Sequence, residues 1–173
     1  MTTINQRIRI VLVTLLVIFI TDQVTKLLII RAIPEGSVDF TGRERVFFYL
    51  THERNEGLVG GSFRDHGWIP FVAPVVATAV LIYLYRHLNP TSWLQNLAYG
   101  MVAGGAAGNL FDRFVRGSVV DFLQFHFYFI PFDFPWKHFP AFNVADSAIC
   151  TGVFLLLVSW RNLEEQHNVA NTA

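Results

Sequence analysis

Four apolar runs, each about the length of a membrane-spanning helix, constrain this chain more than any other feature. The hydrocarbon core of a bilayer is about 30 Å thick and needs roughly 20 mostly apolar residues in helical form. The runs cover residues 10–30, 68–85, 93–111 and 144–160. Trp68, Trp93 and Trp160 lie at their ends, where aromatic rings favour the headgroup layer. Because 53% of the residues are hydrophobic and 15% are charged, the sequence predicts an all-α membrane protein with four transmembrane helices.

The runs predict one integral-membrane domain, residues 1–165, followed by a short polar tail, residues 166–173. An even number of spans places both termini on one side of the membrane. Arg7 and Arg9 flank the first span without any neighbouring acid, which favours a cytoplasmic amino terminus. Basic residues elsewhere do not decide the orientation, since the loops on the other side carry more of them, interleaved with acids.

The long segments 31–67 and 112–143 are predicted to share the side opposite the termini. The first of them contains a turn-like Pro34-Glu35-Gly36 and a β-prone run over 46–51, which indicate a small β-rich cradle facing outward. Residues 122–140 hold nine aromatic residues broken by three prolines. This aromatic segment is too irregular to span, and we expect it to lie in the membrane interface.

Charge and composition exclude several functions. The net charge is zero and the thirteen basic residues are scattered, so the electrostatic footprint of a nucleic-acid-binding protein is missing. A single cysteine, Cys150, provides no disulfide framework, and neither it nor the six histidines fall at the spacing of a metal site. We therefore expect no metal, no cofactor and no nucleic-acid partner.

Four acidic residues lie close to the outward ends of the predicted spans. A carboxylate at the centre of a span costs about 2.5–3.5 kcal/mol on insertion scales, so each needs a physical reason. These residues are Asp22, Asp112, Asp121 and Asp146. They are predicted to converge on one face of the membrane.

Local pairing explains two of these acids as well as catalysis does. Asp22 and Lys26 are four residues apart on one helical face and can neutralise each other. Asp112 and Arg113 end the third span, where an ordinary interfacial ion pair is expected. A direct role for Asp22 stays open beside its structural role, whereas ion pairing is the preferred interpretation of Asp112.

Asp121 and Asp146 form the candidate catalytic pair. Taken alone, Asp146 fits a helix start, with Asn143 as N-cap and the acid facing the free amides of the first turn. Asp121 lies between apolar neighbours after the third span has ended, without an obvious local partner. If it folds against the start of the fourth helix, the two carboxylates share one proton. One of them can then accept a proton from water while the other polarises the scissile carbonyl.

Five short motifs, in order along the four spans, resemble those of bacterial lipoprotein signal peptidases, also called type II signal peptidases. The resemblance extends over about residues 8–160. The motifs are Asp22-Gln23-Val24-Thr25-Lys26, Asn55-Glu56-Gly57, Gly108-Asn109-Leu110-Phe111-Asp112-Arg113, Val119-Val120-Asp121-Phe122 and Phe142-Asn143-Val144-Ala145-Asp146-Ser147-Ala148-Ile149.

The resemblance implies an aspartyl endopeptidase of the bacterial inner membrane. Such an enzyme removes the signal peptide from diacylglyceryl-modified prolipoproteins, before the lipidated cysteine. It implies a site on the outer face, both termini in the cytoplasm, and lipidated prolipoproteins and membrane lipid as partners of a monomer. The dyad would be Asp121 and Asp146. The substrate-binding or supporting set would be Asp22, Lys26, Asn55, Gly57, Asn109, Arg113, Asn143 and Ala145.

Two departures from the family pattern and two other functions stay open. Residues 58–63 read Leu-Val-Gly-Gly-Ser-Phe where small alanines are expected, and the segment between Asp121 and Asn143 is a few residues longer than usual. A four-helix transporter or lipid-binding protein would use the acids as a proton or cation site. A structural membrane subunit would use them only as helix caps and ion pairs.

Overall fold

The structure is a computed structural model that describes residues 3–37, 47–57, 76, 79–81, 83, 85–134 and 137–172, with the backbone alone for 3–4 and 161–172. It is mainly helical, with a small two-stranded sheet. The elements in chain order are α1 (Thr3–Ala32), β1 (Phe48–Asn55), α2 (Trp93–Arg116), β2 (Val119–Phe125) and α3 (Val144–Thr172). The second predicted span and the atypical residues 58–63 lie largely or wholly outside the described residues.

Helix α1 is long and apolar enough to cross a membrane. Its stretch Asn5–Ala32 is the one such helix among the described residues, and Val144–Trp160 of α3 forms a shorter apolar helix. Two helices run farther than expected. Helix α2 continues to Arg116 instead of ending at 111, and the backbone of α3 stays helical to Thr172, through nearly all of the predicted polar tail.

Helix α2 packs between α1 and α3 through its glycines. A Cβ atom added at Gly100 would lie 2.7 Å from the Thr14 Cβ atom of α1, and one at Gly104 would lie 2.8 Å from the Leu15 carbonyl oxygen. On the other side, a Cβ atom at Gly105 would overlap the Ala145 carbonyl oxygen of α3. Small residues therefore bring this protein's own helices together.

The sheet takes one strand from each of the two long segments, 31–67 and 112–143, which corrects the prediction of a sheet formed by residues 31–67 alone. Strands β1 and β2 are antiparallel, pairing Phe48 with Phe125 and Asn55 with Val119, with a bulge between Leu50 and Glu53. The expected β-run at 46–51 lies mostly inside β1, which continues to Asn55. Beyond β2, His126 bridges His138, so part of the aromatic segment doubles back as a short ribbon.

The face that β2 buries determines where its acid lies. Val120 and Phe122 are 0% and 4% exposed and form a cluster with Ile29 and Ile33 at the end of α1. Because successive side chains of a strand point to opposite faces, Asp121 points away from α1. The sheet thus docks on the first helix while presenting its acid on the other face.

Candidate active site

A reciprocal cap starts α3 and holds Asp146. The Asp146 backbone amide donates to Asn143 Oδ1 at 2.9 Å, and the Asn143 backbone amide donates to Asp146 Oδ2 at 3.2 Å. Asn143 is therefore the N-cap, with the acid at the third helical position, as the sequence indicates. This cap accounts for the position of Asp146, and it leaves the Asn143 side-chain nitrogen free to bind another group.

That nitrogen binds Asp121. Asn143 Nδ2 donates to Asp121 Oδ1 at 2.7 Å, while Asn55 Nδ2 from β1 donates to Asp121 Oδ2 at 2.9 Å. The Asp121 residue is 3% exposed and Asn143 is fully buried. One residue, Asn143, thus touches both candidate carboxylates, which lie far apart in the chain.

Burial raises the pKa of Asp121 to about 7 from an ordinary value of 3.8, and the negative charge of Asp146 acts in the same direction. The amide hydrogen bonds from Asn55 and Asn143 and the positive charge of Lys26 lower the pKa, and they offset only part of the increase. Asp121 is therefore protonated in a large fraction of molecules near neutral pH.

Asn109 of α2 joins Asp146 to a buried lysine. Its Nδ2 atom donates to Asp146 Oδ1 at 2.8 Å, and its Oδ1 atom accepts from Lys26 Nζ at 3.1 Å and from Asn143 Nδ2 at 3.2 Å. These bonds fix which way the Asn109 amide faces, since its oxygen meets two donors and its nitrogen meets a carboxylate. Asn109 and Asn143 therefore hold Asp146 from two sides.

The lysine is neutralised by two acids. Lys26 Nζ lies 2.8 Å from Asp22 Oδ2 and 2.9 Å from Asp112 Oδ2, and all three side chains are fully buried. The Asp22–Lys26 pair matches the structural interpretation of that motif. The predicted Asp112–Arg113 pair is wrong, because Asp112 pairs with Lys26 and with Arg116, one helical turn farther along α2.

Asp22 also ties α1 to the start of α3. The Ala145 backbone amide donates to Asp22 Oδ1 at 2.9 Å, and Ala145 is fully buried. A Cβ atom at Gly108 would lie 2.5 Å from Asp22 Oδ2. The contact with the first turn of α3 therefore requires both a small residue at Ala145 and a glycine on α2.

Arg113 lies beside the turn formed by residues 55–57 at the end of β1. Its Nη2 atom donates to the Gly57 carbonyl oxygen at 3.0 Å and its Nη1 atom to the Asn109 carbonyl oxygen at 3.3 Å. The Gly57 amide in turn donates to Asn55 Oδ1 at 3.0 Å. Among the described residues, the buried Arg113 Nε atom has no hydrogen-bond partner.

Comparison with known proteins identifies the family of this chain. A family model described as Signal peptidase (SPase) II matches residues 14–161. The chain belongs to the signal peptidase II family. A lipoprotein signal peptidase of Syntrophotalea carbinolica is 40% identical, over 89% of this chain and 92% of that protein. One of Actinobacillus succinogenes is 43% identical, over 70% of this chain and 73% of that protein.

A solved structure described as a bacterial membrane enzyme has the same fold. It is 28% identical, with a TM-score of 0.70, and the match covers 95% of this chain and 92% of that chain. The prediction of a type II signal peptidase is therefore confirmed. Because the family is one of peptidases, the transporter and the structural subunit are not retained as functions.

All ten residues predicted for the site of this signal peptidase II lie in one connected hydrogen-bond network. The sequence did not indicate the contacts of Gln23 and Arg116, or the true partners of Asp112. The signal available for Arg116 was its position four residues after Asp112, on the same helical face. Gln23 carried no signal beyond its place next to Asp22.

Proposed function

We propose that Asp121 and Asp146 form the catalytic dyad with which this signal peptidase II removes signal peptides from diacylglyceryl-modified prolipoproteins, before the lipidated cysteine. The observation that carries the proposal is the shared contact with Asn143, whose side-chain nitrogen binds Asp121 and whose backbone nitrogen binds Asp146. This contact holds a buried acid, Asp121, and a half-buried acid, Asp146, against the same side chain. Mutual repulsion between two such acids favours a single shared proton.

Asp121 carries that proton and Asp146 acts as the base. The pKa of about 7 at Asp121 favours its protonated form near neutral pH. Asp146 lies in the first turn of α3, where the free amides of a helix start favour negative charge. The two acids titrate as a coupled pair, so their roles describe the dominant arrangement of one proton.

Hydrolysis then follows the general acid–base route. Asp146 takes a proton from water as the water oxygen attacks the scissile carbonyl carbon, and Asp121 donates its proton to the carbonyl oxygen. The carbon–nitrogen bond of the resulting diol breaks, and Asp146 passes its proton to the leaving nitrogen. A diol hydroxyl returns a proton to Asp121. The products are a signal peptide with a new carboxylate and a lipoprotein with a new amino group at its lipidated cysteine.

The surrounding residues hold the dyad and bind the substrate. Asn55, Asn109 and Asn143 orient the two carboxylates through the amide bonds described above. Arg113 and Gly57 form the adjoining wall, joined by the hydrogen bond from Arg113 Nη2 to the Gly57 carbonyl oxygen. Asp22, Lys26 and Ala145 lock the start of α3 against α1 and α2.

The enzyme spans the inner membrane four times, with its termini in the cytoplasm and the sheet and dyad at the outer face. The exposed surface of α1 supports this placement, because six of its apolar residues are more than half exposed and suit contact with lipid. They are Leu12, Val13, Leu16, Val17, Ile20 and Leu28. The proposed working unit is a monomer.

The aromatic segment 122–140 rests in the outer headgroup layer. Phe129 and Phe132 are 61% and 65% exposed, and Tyr128 beside them is 39% exposed. Exposed rings of this kind are stabilised at the membrane–water interface. The segment follows Asp121 directly, so the dyad would lie at the level where a lipidated cysteine leaves the bilayer.

The dyad is tested by replacing each acid with its neutral amide. We expect purified Asp121→Asn and Asp146→Asn to lose cleavage of a synthetic lipidated precursor peptide, because neither variant retains both a base and an acid. Asp133→Asn is the matched control, since Asp133 is an exposed acid paired only with Lys137 among the described residues. The unlipidated peptide, run beside the lipidated one, measures the requirement for lipid.

Two outcomes decide the proposal. Monodisperse Asn variants with cleavage lost, beside an active Asp133→Asn control, support the dyad. Cleavage retained by either monodisperse variant at the level of the control would overturn the assignment.

A further inference from the structure

A second cation, Arg116, pairs with the same carboxylate, Asp112, as the buried Lys26. The Arg116 Nη1 atom donates to the Asp112 carboxylate and to Gln23 Oε1, the latter at 2.8 Å. The Arg116 side chain is 13% exposed. Gln23 Nε2 donates to Asp112 Oδ1 at 3.1 Å and to Asp22 Oδ2 at 3.1 Å. Arg116 and Gln23 therefore fix one oxygen of the Asp112 carboxylate together.

The other oxygen of Asp112 connects to both members of the dyad. Asp112 Oδ2 accepts from the backbone amide of Val120 at 3.1 Å, and Val120 directly precedes Asp121 in β2. The same oxygen lies 2.9 Å from Lys26 Nζ. Lys26 binds Asn109, whose amide donates to the second member of the dyad. One carboxylate thus sets the position of the strand at Asp121 and of the lysine that leads to Asp146.

The charges of this group balance. Two acids, Asp22 and Asp112, face two bases, Lys26 and Arg116, and three of these four side chains are fully buried. If Arg116 is neutralised, the group retains one uncompensated negative charge away from water, which is strongly unfavourable. Lys26 would then be the one described cation paired with Asp112, and Asp112 Oδ1 would keep a hydrogen bond only from Gln23 among the described residues.

We propose that Arg116 is a positioning residue for the catalytic dyad, acting through Asp112. The proposal rests on the assignment of Asp121 and Asp146 as that dyad. Arg116 does not reach the dyad itself, since its described polar contacts are with Asp112 and Gln23. Its effect is to hold the Val120 amide and Lys26 in place while the dyad works.

The expected signature of Arg116→Met is a loss in kcat with little change in KM. A displacement of about 1 Å at a reacting group can lower the rate by about two orders of magnitude, so kcat should fall about 10- to 100-fold. KM should stay within about twofold, because substrate contacts are unaffected. Arg116→Lys keeps a positive charge beside Asp112 and should recover a large part of kcat.

The pH profile separates positioning from a purely structural role. Asp121 is surrounded by Asn55 from β1, Asn143 and Asp146 from α3, Lys26 from α1 and Arg113 from α2. Without Arg116, the negative charge of Asp112 would be less compensated, and this would raise the pKa of Asp121 further. The fall of kcat with rising pH should therefore move to higher pH in Arg116→Met. In Arg116→Lys it should move back toward the wild-type pH.

Lys137→Met is the matched control for Arg116→Met. Lys137 pairs with Asp133 four residues away, as Arg116 pairs with Asp112, but the Asp133 side chain is 96% exposed. We expect its kcat, KM and pH profile to match those of the wild type. Gln23→Met loosens the same oxygen of Asp112 without leaving a buried charge unpaired, so it tests the proposal if Arg116→Met does not fold, and kcat should again fall while KM holds.

The proposal and the dyad fail in different ways. If Arg116→Met or Gln23→Met is monodisperse and keeps the wild-type kcat and pH profile while Asp121→Asn is inactive, the dyad stands and the positioning role is overturned. If Asp121→Asn remains active, the dyad itself is wrong. A lower melting temperature with kcat unchanged would also reject positioning, because it would mean that Arg116 contributes stability alone.

Discussion

At the scale of single residues, three asparagines organise the chemistry of two acids. An asparagine side chain offers both a donor and an acceptor with no charge. Asn55, Asn109 and Asn143 use their nitrogens on the carboxylates, while the oxygens bind a backbone amide or a lysine. This neutral shell leaves burial as the main influence on Asp121, because no cation in the described part of the chain contacts that carboxylate directly.

The activity should therefore fall as the pH rises through about 7. Burial raises the pKa of Asp121 to about 7, so its proton is present below that pH and lost above it. Since the proposed mechanism needs this proton on Asp121, kcat should decrease about tenfold per pH unit on the alkaline side. Rates on the lipidated peptide, measured between about pH 5 and about pH 9 in one detergent, provide the profile.

A control separates titration from unfolding in that profile. Enzyme held at the highest pH and returned to neutral pH should recover its full rate. A kcat that stays constant or increases through neutral pH would contradict the protonated role of Asp121.

At the scale of secondary structure, Asn143 serves α3 and the dyad with different atoms. Its Oδ1 atom caps the helix at the Asp146 amide, and its Nδ2 atom binds Asp121. The two roles can be separated by substitution, because serine is as good an N-cap as asparagine but provides no amide donor.

Both Asn143→Ser and Asn143→Ala lose the buried hydrogen bonds to Asp121 and Asn109, but only serine keeps the cap on the Asp146 amide. We therefore expect the unfolding free energy of Asn143→Ala to be about 1 kcal/mol lower than that of Asn143→Ser. Both variants should lose at least about tenfold in kcat, because both lack the hydrogen bond to Asp121. Thermal unfolding and peptide cleavage, measured on the same preparations, distinguish the two effects.

A wild-type kcat in Asn143→Ser would contradict this division of roles. Equal unfolding temperatures of the serine and alanine variants would also contradict it, because the cap would then contribute nothing to stability.

The elements themselves could be predicted to different degrees. The start of α3 followed from the local cap at Asn143, and α1 followed from its apolar length. The end of α2 was placed too early because the charges at Asp112 and Arg113 resemble an interfacial boundary. Gly117, with φ +77°, is the true signal, since glycine commonly ends a helix in the left-handed conformation.

The pairing of β1 with β2 could not be read from local sequence. Strand propensity indicates an extended segment, but it does not say which distant segment pairs with it. The bulge between Leu50 and Glu53 also shifts the register. The same limit applies to the site: the sequence and the resemblance supplied the two acids proposed as the dyad, whereas their shared contact with Asn143 required the structure.

At the scale of the whole molecule, the site exists only when all the described elements are docked. Asp22 and Lys26 come from α1, Asn55 from β1, Asn109 and Arg113 from α2, Asp121 from β2, and Asn143 and Asp146 from the start of α3. The sheet packs on the carboxyl-terminal end of α1 through Ile29 and Ile33. Since that end carries the site, the orientation of α1 determines the side of the membrane on which cleavage occurs.

The proposed orientation can be tested at the two ends of α1. The stretch Asn5–Ala32 has 28 residues, so at 1.5 Å per residue it is about 42 Å long and exceeds the roughly 30 Å hydrocarbon core. Cys150, the only cysteine, is first replaced by serine. A cysteine at the exposed Glu35 should then react with a membrane-impermeant maleimide on intact spheroplasts, whereas one at the exposed Gln6 should react only after permeabilisation. Labelling in the opposite order would place the dyad in the cytoplasm, where exported prolipoproteins no longer present their cleavage site, and would contradict the proposed topology.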